Sequence, residues 1–265
     1  SSSSALICGI ASGLNYLNNL KLTNDEIIDI VSDVEHNFIG LMGGIMDQFT
    51  IVNGKKNKLI LLNCQNRNFK YINFDFNNYK FLLINTNIEH NLADSAYNER
   101  VKECSEALSV INKKYNKYNS LIEVEENILN EFKSILKEKI YNRALFVIQE
   151  NQRTHDSANK ISNSKLKEFG ELMYKSHYGL KNLYEVSCKE LDFLVEFTSN
   201  HEEIIGSRMM GGGFGGCTIN LIKENFVDNF VDLVSQAYLD KFHIKLNAFT
   251  VNIDNGITIK NIYDY

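Results

Sequence analysis

A glycine-rich run at residues 211–217, Gly-Gly-Gly-Phe-Gly-Gly-Cys, limits the folds that are open to this chain. Its spacing satisfies the G-x-G-x-x-G pattern of dinucleotide-binding proteins, but that pattern requires a helix directly after the loop. The next residues, Thr-Ile-Asn-Leu-Ile at 218–222, favour a strand instead. The run also lacks the Gly-Lys-Ser/Thr end of a P-loop. We therefore predict a loop that joins two strands.

The same run is a candidate phosphate contact. Glycine loses more conformational freedom on folding than other residues. Ordering a loop this rich in glycine therefore costs more free energy than a structural turn requires. Successive backbone N–H groups in a glycine nest can surround phosphate oxygens. A purely structural turn is the alternative, and the composition of the run favours the phosphate contact.

The segments around this loop predict an α+β fold with an antiparallel sheet. They are typical of a strand, the loop, a strand, a helix and a strand, at residues 203–210, 211–217, 218–222, 225–242 and 246–252. Upstream strands are predicted at residues 50–52, 58–64, 69–74 and 80–85, with a hairpin signal at Asn53-Gly54. Helices are predicted at residues 91–112, 122–140, 143–161 and 166–180, and from about residue 188.

The composition argues against several classes of partner. A net charge of −5 is mild for 265 residues, and no basic stripe indicates nucleic acid. No apolar run is long enough to span a bilayer, and the chain does not open on a signal peptide. Five scattered cysteines without a C-x-x-C pair argue against a zinc site and a disulfide framework. We expect a reducing, cytoplasmic setting without nucleic-acid or membrane partners.

The first twenty residues predict a helix that opens on four serines, Ser1 to Ser4. Apolar residues then recur at helical spacing, namely Leu6, Ile10, Leu14 and Leu17. Hydroxyl groups at a helix N-terminus can form an anion site with the free backbone N–H groups. A serine linker or cloning remnant is the alternative. So abrupt an opening also leads us to expect that the start of the domain is missing.

A second helix begins at a capping box, Thr23-Asn-Asp-Glu26. Its predicted apolar stripe consists of Ile27, Ile30, Val31, Val34 and Phe38. Glu35 follows Val31 by four residues, so its carboxylate lies beside the buried stripe rather than on the wet face. A carboxylate there needs a partner. A structural salt bridge and a ligand role both satisfy that need.

The loop at residues 40–49, Gly-Leu-Met-Gly-Gly-Ile-Met-Asp-Gln-Phe, carries one carboxylate, Asp47. Glycines let such a loop approach a ligand closely and hold the acid in a defined place. The alternative is that Asp47 only caps the next turn. Tyr97 falls near the first turn of a later helix, where its phenol is either a ligand contact or half-buried packing.

Together these segments resemble the galactokinases of the GHMP kinase family. Ser-Ser-Ser-Ser-Ala at residues 1–5 resembles the end of the G-L-S-S-S-A phosphate motif, and Glu35-His36 followed by Gly-Ile-Met-Asp-Gln-Phe at 44–49 resembles the E-H…G-I-M-D-Q-F segment. Gly-Ser-Arg-Met at 206–209 with the glycine run resembles the third motif. Ser-His-Tyr at 176–178, Leu-Tyr-Glu-Val-Ser-Cys at 183–188 and Glu-Leu-Asp at 190–192 form a further galactokinase-like segment.

The resemblance implies a fold and a set of site residues. The fold is α+β with two domains, a partial N-terminal kinase domain at residues 1–140 and a C-terminal ferredoxin-like α/β sandwich at 141–265. Asp47 matches the catalytic base, which also contacts the sugar, and Tyr97 matches a tyrosine that contacts galactose. Ser3 and Glu35 match the pair that holds Mg²⁺. The residues matched to ATP binding are Ser1, Ser2, Ser3, Gly211, Gly212 and Gly213.

The implied activity is transfer of the γ-phosphoryl group of ATP to the C1 hydroxyl of galactose, by a monomer. N-acetylgalactosamine kinases have a similar phosphate loop, and some relatives bind galactose and ATP only as sensors, although these tend to lose the Ser-Ala step seen here at Ser4-Ala5. A remnant without function is the third alternative. The family's first motif has no counterpart here, and Met210 stands where threonine is usual. We therefore expect residues 1–265 alone to be unstable or inactive, because missing core strands would expose apolar surface.

Overall fold

The computed structural model describes residues 2–40, 43–88 and 93–260. They form two compact units, one made of the residues up to Asp75 with those from Asn252 onward, the other of Phe76–Val251. The division expected after residue 140 therefore falls inside the second unit. Over the ranges just given, no helix combines the length and the apolarity that crossing a membrane requires.

The first unit contains three helices and a hairpin of two strands among its described residues. Helices α1 (Ser2–Leu17), α2 (Asn24–Asp33) and α3 (Met46–Asn53) pack on one another. Strands β1 (Lys58–Leu62) and β2 (Phe69–Asn73) pair antiparallel, close to the predicted bounds. The predicted capping box forms, since the Thr23 backbone N–H donates to Glu26 Oε2 at 2.7 Å and the Glu26 N–H donates to Thr23 Oγ1 at 3.3 Å.

Helix α1 buries a different face from the one that its leucines suggest. Its apolar stripe is solvent-exposed within this unit, with Leu6 65% and Leu17 78% exposed. The face that packs against α2 carries the small residues Ser4, Cys8 and Ser12 instead. Small side chains allow the helices to approach closely, and Cys8 joins Ile27 and Val31 of α2 in the core. The helix forms as predicted, and the contact with α2 determines which of its faces is buried.

The predicted strand and hairpin at residues 50–54 are wrong, because these residues end helix α3. Gly54 serves a different purpose from a hairpin turn. A Cβ atom on Gly54 would lie 2.9 Å from the Thr50 carbonyl oxygen and 3.0 Å from the Gly256 nitrogen. The Gly256 N–H donates to the Gly54 carbonyl at 2.8 Å. Glycine is required there for close backbone approach by a distant part of the chain.

The second unit is built on an antiparallel sheet, as predicted, and this sheet has four strands among the described residues. Its strands are β3 (Tyr79–Asn85), β4 (Ile204–Met209), β5 (Cys217–Lys223) and β6 (Asn247–Val251), in the order β4-β5-β3-β6. Its helices are α4 (Ala93–Tyr115), α5 (Glu126–Asn130), α6 (Glu138–Ser162), α7 (Leu166–Gly179), α8 (Lys189–Thr198) and α9 (Val227–Phe242). A π-helical turn, Leu180–Tyr184, follows α7.

At least three apolar clusters lie among the described residues of the second unit, and one of them joins Phe146, Leu180 and Met209. One face of the sheet packs against α8 and α9 through Leu82, Ile84 and Phe230. A separate cluster joins α4, α6 and the segment between them through Ala107, Leu129 and other side chains. The single helix predicted at residues 122–140 is wrong, because the backbone is extended at Glu125 and Lys137 and divides this segment into short turns.

Helix α7 lies directly on strand β4 at a contact between two glycines. A Cβ atom on Gly170 would be 1.7 Å from the Ile205 carbonyl oxygen, and one on Gly206 would be 2.6 Å from the Gly170 Cα atom. We expect Gly170→Ala to destabilise the second unit by about 3 kcal/mol, because backbone rather than a movable side chain must shift. Thermal or urea unfolding measures this change.

The matched control for Gly170→Ala is Gly9→Ala. Gly9 also lies inside a helix, but no atom lies within 4 Å of an added Cβ there. Alanine favours the helix over glycine, so this variant should be stabilised by up to about 1 kcal/mol. Equal stability of Gly170→Ala and the parent protein would contradict the packing described for α7 and β4.

Candidate active site

The Glu35 carboxylate is the centre of a buried polar group in the first unit. Glu35 lies on the π-helical turn Val34–Ile39, which continues α2, and it is only 3% exposed. Its Oε1 accepts a hydrogen bond from Ser4 Oγ at 2.6 Å. Its Oε2 accepts one from Gln48 Nε2. The carboxylate is buried near Val31 as predicted, but the predicted stripe is wrong at two positions, since Ile30 is 42% and Phe38 89% exposed.

The serine that reaches Glu35 is Ser4, at the start of α1. Ser4 is 4% exposed, whereas the side chains of Ser2 and Ser3 are exposed to solvent. Ser1, which the resemblance matches to the phosphate loop, lies outside the described residues. The helix thus directs one hydroxyl group to the buried carboxylate and leaves two hydroxyl groups on its outer side, beside its N-terminus. Such an N-terminus favours anions.

Asp47 occupies the first turn of α3, one residue before Gln48. Its side chain is half-buried. No residue in the described part of the chain forms a hydrogen bond or an ion pair with its carboxylate. The positive end of the helix dipole favours a negative charge at this position. The neighbouring Gln48, by contrast, is fixed through its bond to Glu35, so the backbone that carries Asp47 is anchored while the carboxylate stays available.

His36 anchors the loop that leads into α3. Its Nε2 donates to the Gly43 carbonyl oxygen at 2.8 Å, which fixes the tautomer as Nε2–H in the neutral ring. Gly40 ends the π-helical turn with a φ of 83°, a conformation that favours glycine. Glu35 and His36 therefore contact different parts of the site. Glu35 binds Ser4 and Gln48, whereas His36 holds the loop before Asp47.

The oxygen atoms around Glu35 are suitable ligands for a hard divalent cation such as Mg²⁺. Glu35 has no ion-pair partner among the residues that the structure describes. The side-chain oxygen of Gln48, Oε1, is buried and has no hydrogen-bond donor there. Mg²⁺ prefers carboxylate, carbonyl and hydroxyl oxygens and is commonly held by one or two carboxylates together with substrate phosphates. In the described ranges, no group of three or more His, Cys, Asp or Glu side chains is arranged so that it could hold a metal ion by itself.

Cys8, one turn after Ser4, is buried and packs with Ile27 and Val31 of α2. Burial, and after it the charge of Glu35, raise the pKa of the Cys8 thiol to about 11. A thiol with so high a pKa is a poor nucleophile at neutral pH. Cys8 is therefore a packing residue and not a reactive one.

The glycine run of the second unit forms a tight loop between β4 and β5, as predicted. The backbone has positive φ at Gly211, Gly213, Phe214 and the two following glycines. A Cβ atom on Gly213 would lie 2.1 Å from the Val186 carbonyl oxygen, so this position excludes other residues on steric grounds as well. Met210 is 41% exposed and holds the loop through its backbone, whose N–H donates to the Cys217 carbonyl at 2.9 Å.

Tyr97 lies against this loop. A Cβ atom added to Gly212 would be 3.7 Å from Tyr97 Cδ2, which is van der Waals contact. The backbone N–H groups of Gly211, Gly212 and Gly213 donate to no residue within the described ranges. Two groups of predicted site residues, the tyrosine on α4 and the glycines after β4, are therefore neighbours in the second unit. Free N–H donors in a loop of this kind can bind an anion.

Sequence reasoning missed three residues of the candidate site. The motifs contain Ser4, His36 and Gln48, but the sequence does not predict the contacts that these side chains make. The four-residue spacing of Ser4, Cys8 and Ser12 is the available signal for the first. The contacts of His36 and Gln48 depend on the fold of the loop, which the sequence does not encode in a local pattern.

Comparison with known proteins places both ends of the chain in one family. The model of the GHMP kinase N-terminal domain matches residues 1–55, and that of the GHMP kinase C-terminal region matches residues 158–238. A galactokinase of Clostridium acetobutylicum is 41% identical over 244 residues, which are 92% of this chain and 62% of that protein. The chain thus spans less than two thirds of this relative. A galactokinase of Thermotoga neapolitana is 35% identical, with 97% of this chain and 71% of that protein covered.

Solved structures agree with the sequence relatives. The crystal structure of Lactococcus lactis galactokinase complexed with galactose superposes with a TM-score of 0.92 at 32% identity, over 97% of this chain and 66% of that one. A mevalonate kinase of L. major shares the fold at a TM-score of 0.61 and 17% identity, over 97% of this chain and 66% of that one. Given these identities and the share of the T. neapolitana protein that is covered, the chain belongs to the galactokinase family of GHMP kinases.

Proposed function

We propose that the protein transfers the γ-phosphoryl group of ATP to the C1 hydroxyl of galactose. The observation that supports this most directly is the unengaged carboxylate of Asp47, which lies on a helix anchored to the buried group of Ser4, Glu35 and Gln48. A chain with the fold of a galactose-bound galactokinase, at a TM-score of 0.92, carries this arrangement. A carboxylate without an internal partner is free to accept a hydrogen bond from a substrate hydroxyl.

Asp47 acts as the general base in this mechanism. It accepts the proton of the C1 hydroxyl as the hydroxyl oxygen bonds to the γ-phosphorus, and the bond from that phosphorus to the bridging oxygen breaks to release ADP. Catalysis of phosphoryl transfer depends mainly on positioning and charge stabilisation. The hydrogen bond from Gln48 to Glu35 positions the turn that carries Asp47. Tyr97 contributes an aromatic contact for the sugar.

The remaining residues bind the nucleotide. Ser1, Ser2 and Ser3 at the start of α1, and Gly211, Gly212 and Gly213 in the second unit, bind phosphate oxygens of ATP. Glu35 holds Mg²⁺ with a serine hydroxyl, for which Ser3 is the residue that the resemblance implies and Ser4 the residue that contacts Glu35. Mg²⁺ would neutralise phosphate charge. We place the enzyme in the cytoplasm, as a monomer without nucleic-acid or membrane partners.

An ADP-release assay tests this function on the protein expressed from its complete reading frame. Galactose, N-acetylgalactosamine and no sugar are compared at saturating ATP and Mg²⁺. Turnover that depends on galactose supports the proposal. Faster turnover with N-acetylgalactosamine would identify that sugar as the substrate instead. Binding of galactose and ATP without turnover would instead identify a non-catalytic sensor.

A further inference from the structure

The π-helical turn after α7 ends in three consecutive carbonyl groups that two arginines bind. Arg143 Nη1 donates to the Leu183 carbonyl. Arg100 Nε donates to the Tyr184 carbonyl at 2.7 Å, and its Nη2 donates to the Glu185 carbonyl at 2.9 Å. The last carbonyl groups of a helix have no partner within the helix. The arginines thus replace the missing donors for all three carbonyl groups. We name Arg100 and Arg143 the arginine clamp.

The clamp is buried and electrically balanced. The Arg143 side chain is 0% exposed, and that of Arg100 is 8% exposed. Both donate to Glu103 Oε2, at 3.2 and 3.0 Å, and Arg143 Nη2 also pairs with Glu185 at 2.5 Å. Burial acts to raise the pKa of Glu103, but the hydrogen bond from Lys139 and the charges of both arginines outweigh it and lower the pKa. Glu103 is therefore ionised and holds the two guanidinium groups in place.

The turn that the clamp fixes is in direct contact with the glycine loop. Glu185 adopts a left-handed conformation with φ of 52°, and the next residue, Val186, is 3% exposed. The Val186 carbonyl accepts the Phe214 N–H at 2.7 Å. The same oxygen is the atom that a side chain on Gly213 would strike. The loop therefore rests on Val186, one residue after the last carbonyl group bound by the clamp.

A second contact between this segment and the loop lies at the end of β4. His177, which is 1% exposed, accepts the Met209 N–H through Nδ1 at 3.2 Å. Its Nε2 faces Asp192 at 3.2 Å, and Ser187 and Lys181 also donate to this carboxylate. Burial acts to raise the pKa of Asp192, but these hydrogen bonds lower it. Residues 177–192 thus support the glycine loop at its start and at its middle.

We propose that Arg100 and Arg143 are positioning residues of the phosphate-binding loop, acting through the carbonyl groups of residues 183–185 and the seat that Val186 provides. This inference rests on the proposed function for its catalytic consequence. Neither guanidinium group needs to touch ATP. Their effect is to keep the N–H groups of Gly211, Gly212 and Gly213 in one arrangement before the nucleotide arrives, which removes an ordering cost from binding.

The variant Arg143→Lys tests the inference, since lysine keeps the charge but cannot form the forked set of hydrogen bonds. We expect exchange of the hydrogen-bonded amides of Met209, Met210 and Phe214 to accelerate about tenfold, the size of effect that follows the loss of a charge-assisted hydrogen bond. KM for ATP should rise about tenfold while kcat changes less, because the loop contributes mainly to nucleotide binding. Exchange is measured by mass spectrometry and kinetics by ADP release.

Two further variants separate positioning from general stability. Arg153→Lys is the matched control, because Arg153 lies on the same helix, is largely buried and pairs with the Glu150 side chain. Glu150 also lies 3.5 Å from Arg208 near the start of the loop, so the comparison is made at the Phe214 amide, whose exchange Arg153→Lys should leave unchanged. Arg100→Lys is the second test if Arg143→Lys does not fold, and it should also accelerate exchange of the Met209, Met210 and Phe214 amides, since Arg100 binds two of the three carbonyl groups.

The outcomes are distinct. Unchanged loop exchange in both clamp variants, or equal acceleration in Arg153→Lys, would overturn the inference, even if the melting temperature fell. A rise in loop exchange with a matching rise in KM supports it. If the parent protein shows no turnover but loop exchange is faster in the clamp variants, the positioning role is supported. The absence of turnover then counts only against the phosphoryl-transfer activity.

Discussion

Replacement of Asp47 by asparagine is expected to lower kcat for galactose about 10²–10⁴-fold, the usual contribution of a general base. Asparagine keeps the shape of the side chain and cannot accept the hydroxyl proton. No described residue depends on the Asp47 carboxylate for a hydrogen bond, so the fold should be unaffected. The measurement is ADP release under saturating ATP and galactose, with the melting temperature recorded for the same samples.

The control for this prediction is Asp75→Asn, which makes the same chemical change at an exposed aspartate of the first unit. It should retain full activity. A fall in activity of less than tenfold for Asp47→Asn, with the melting temperature unchanged, would remove Asp47 from the role of base. Asp47 would then be left with its position in the first turn of α3 as its only assigned role.

Glu35→Gln should separate function from stability. Glutamine can accept from Gln48 through its oxygen and donate to Ser4 Oγ, so the two hydrogen bonds to Glu35 can be kept. It removes a buried charge that has no ion-pair partner in the described ranges, so the melting temperature should stay the same or rise. The Mg²⁺ concentration for half-maximal activity should nevertheless rise about 10- to 100-fold, as for other losses near a metal.

A magnesium titration at fixed ATP measures this effect, together with thermal shift in the presence and absence of Mg-ATP. Ser3→Ala and Ser4→Ala in the same titration decide which hydroxyl group serves the cation. Ser4→Ala alone should lower stability, because it removes a buried partner of Glu35. An unchanged magnesium requirement in Glu35→Gln would contradict the cation site.

Periodicity predicted the elements whose pattern is set by neighbours in sequence. The strands at residues 58–62 and 69–73 and the strands that flank the glycine run were located within a few residues. The same reasoning failed where contacts with a distant segment determine the local structure. Gly54 indicated a hairpin, although its actual requirement comes from Gly256. Helix α1 presents its leucines outward in its unit because Ser4 and Cys8 face α2.

The candidate site was likewise predicted only in part from the sequence. Glu35 was placed correctly because helical spacing alone puts it beside a buried residue, Val31. The hydrogen-bond partners of Glu35 come from positions far away in sequence, Ser4 and Gln48, and no local pattern relates them. The glycine loop was recognised by composition. Its support on Val186 follows from the packing of α7, the π-helical turn and β4, which only three-dimensional structure reveals.

The central position of β3 affects how the protein can fold during synthesis. This strand pairs with β5 on one side and with β6, at residues 247–251, on the other. The first unit is likewise completed late, because the N–H of Ile257 donates to the Ile51 carbonyl. On the ribosome, the second unit can therefore be complete only after residue 251 has left the exit tunnel, and the first only after about residue 257. Contacts so distant in sequence form slowly, and the nascent chain must expose unpaired strands meanwhile.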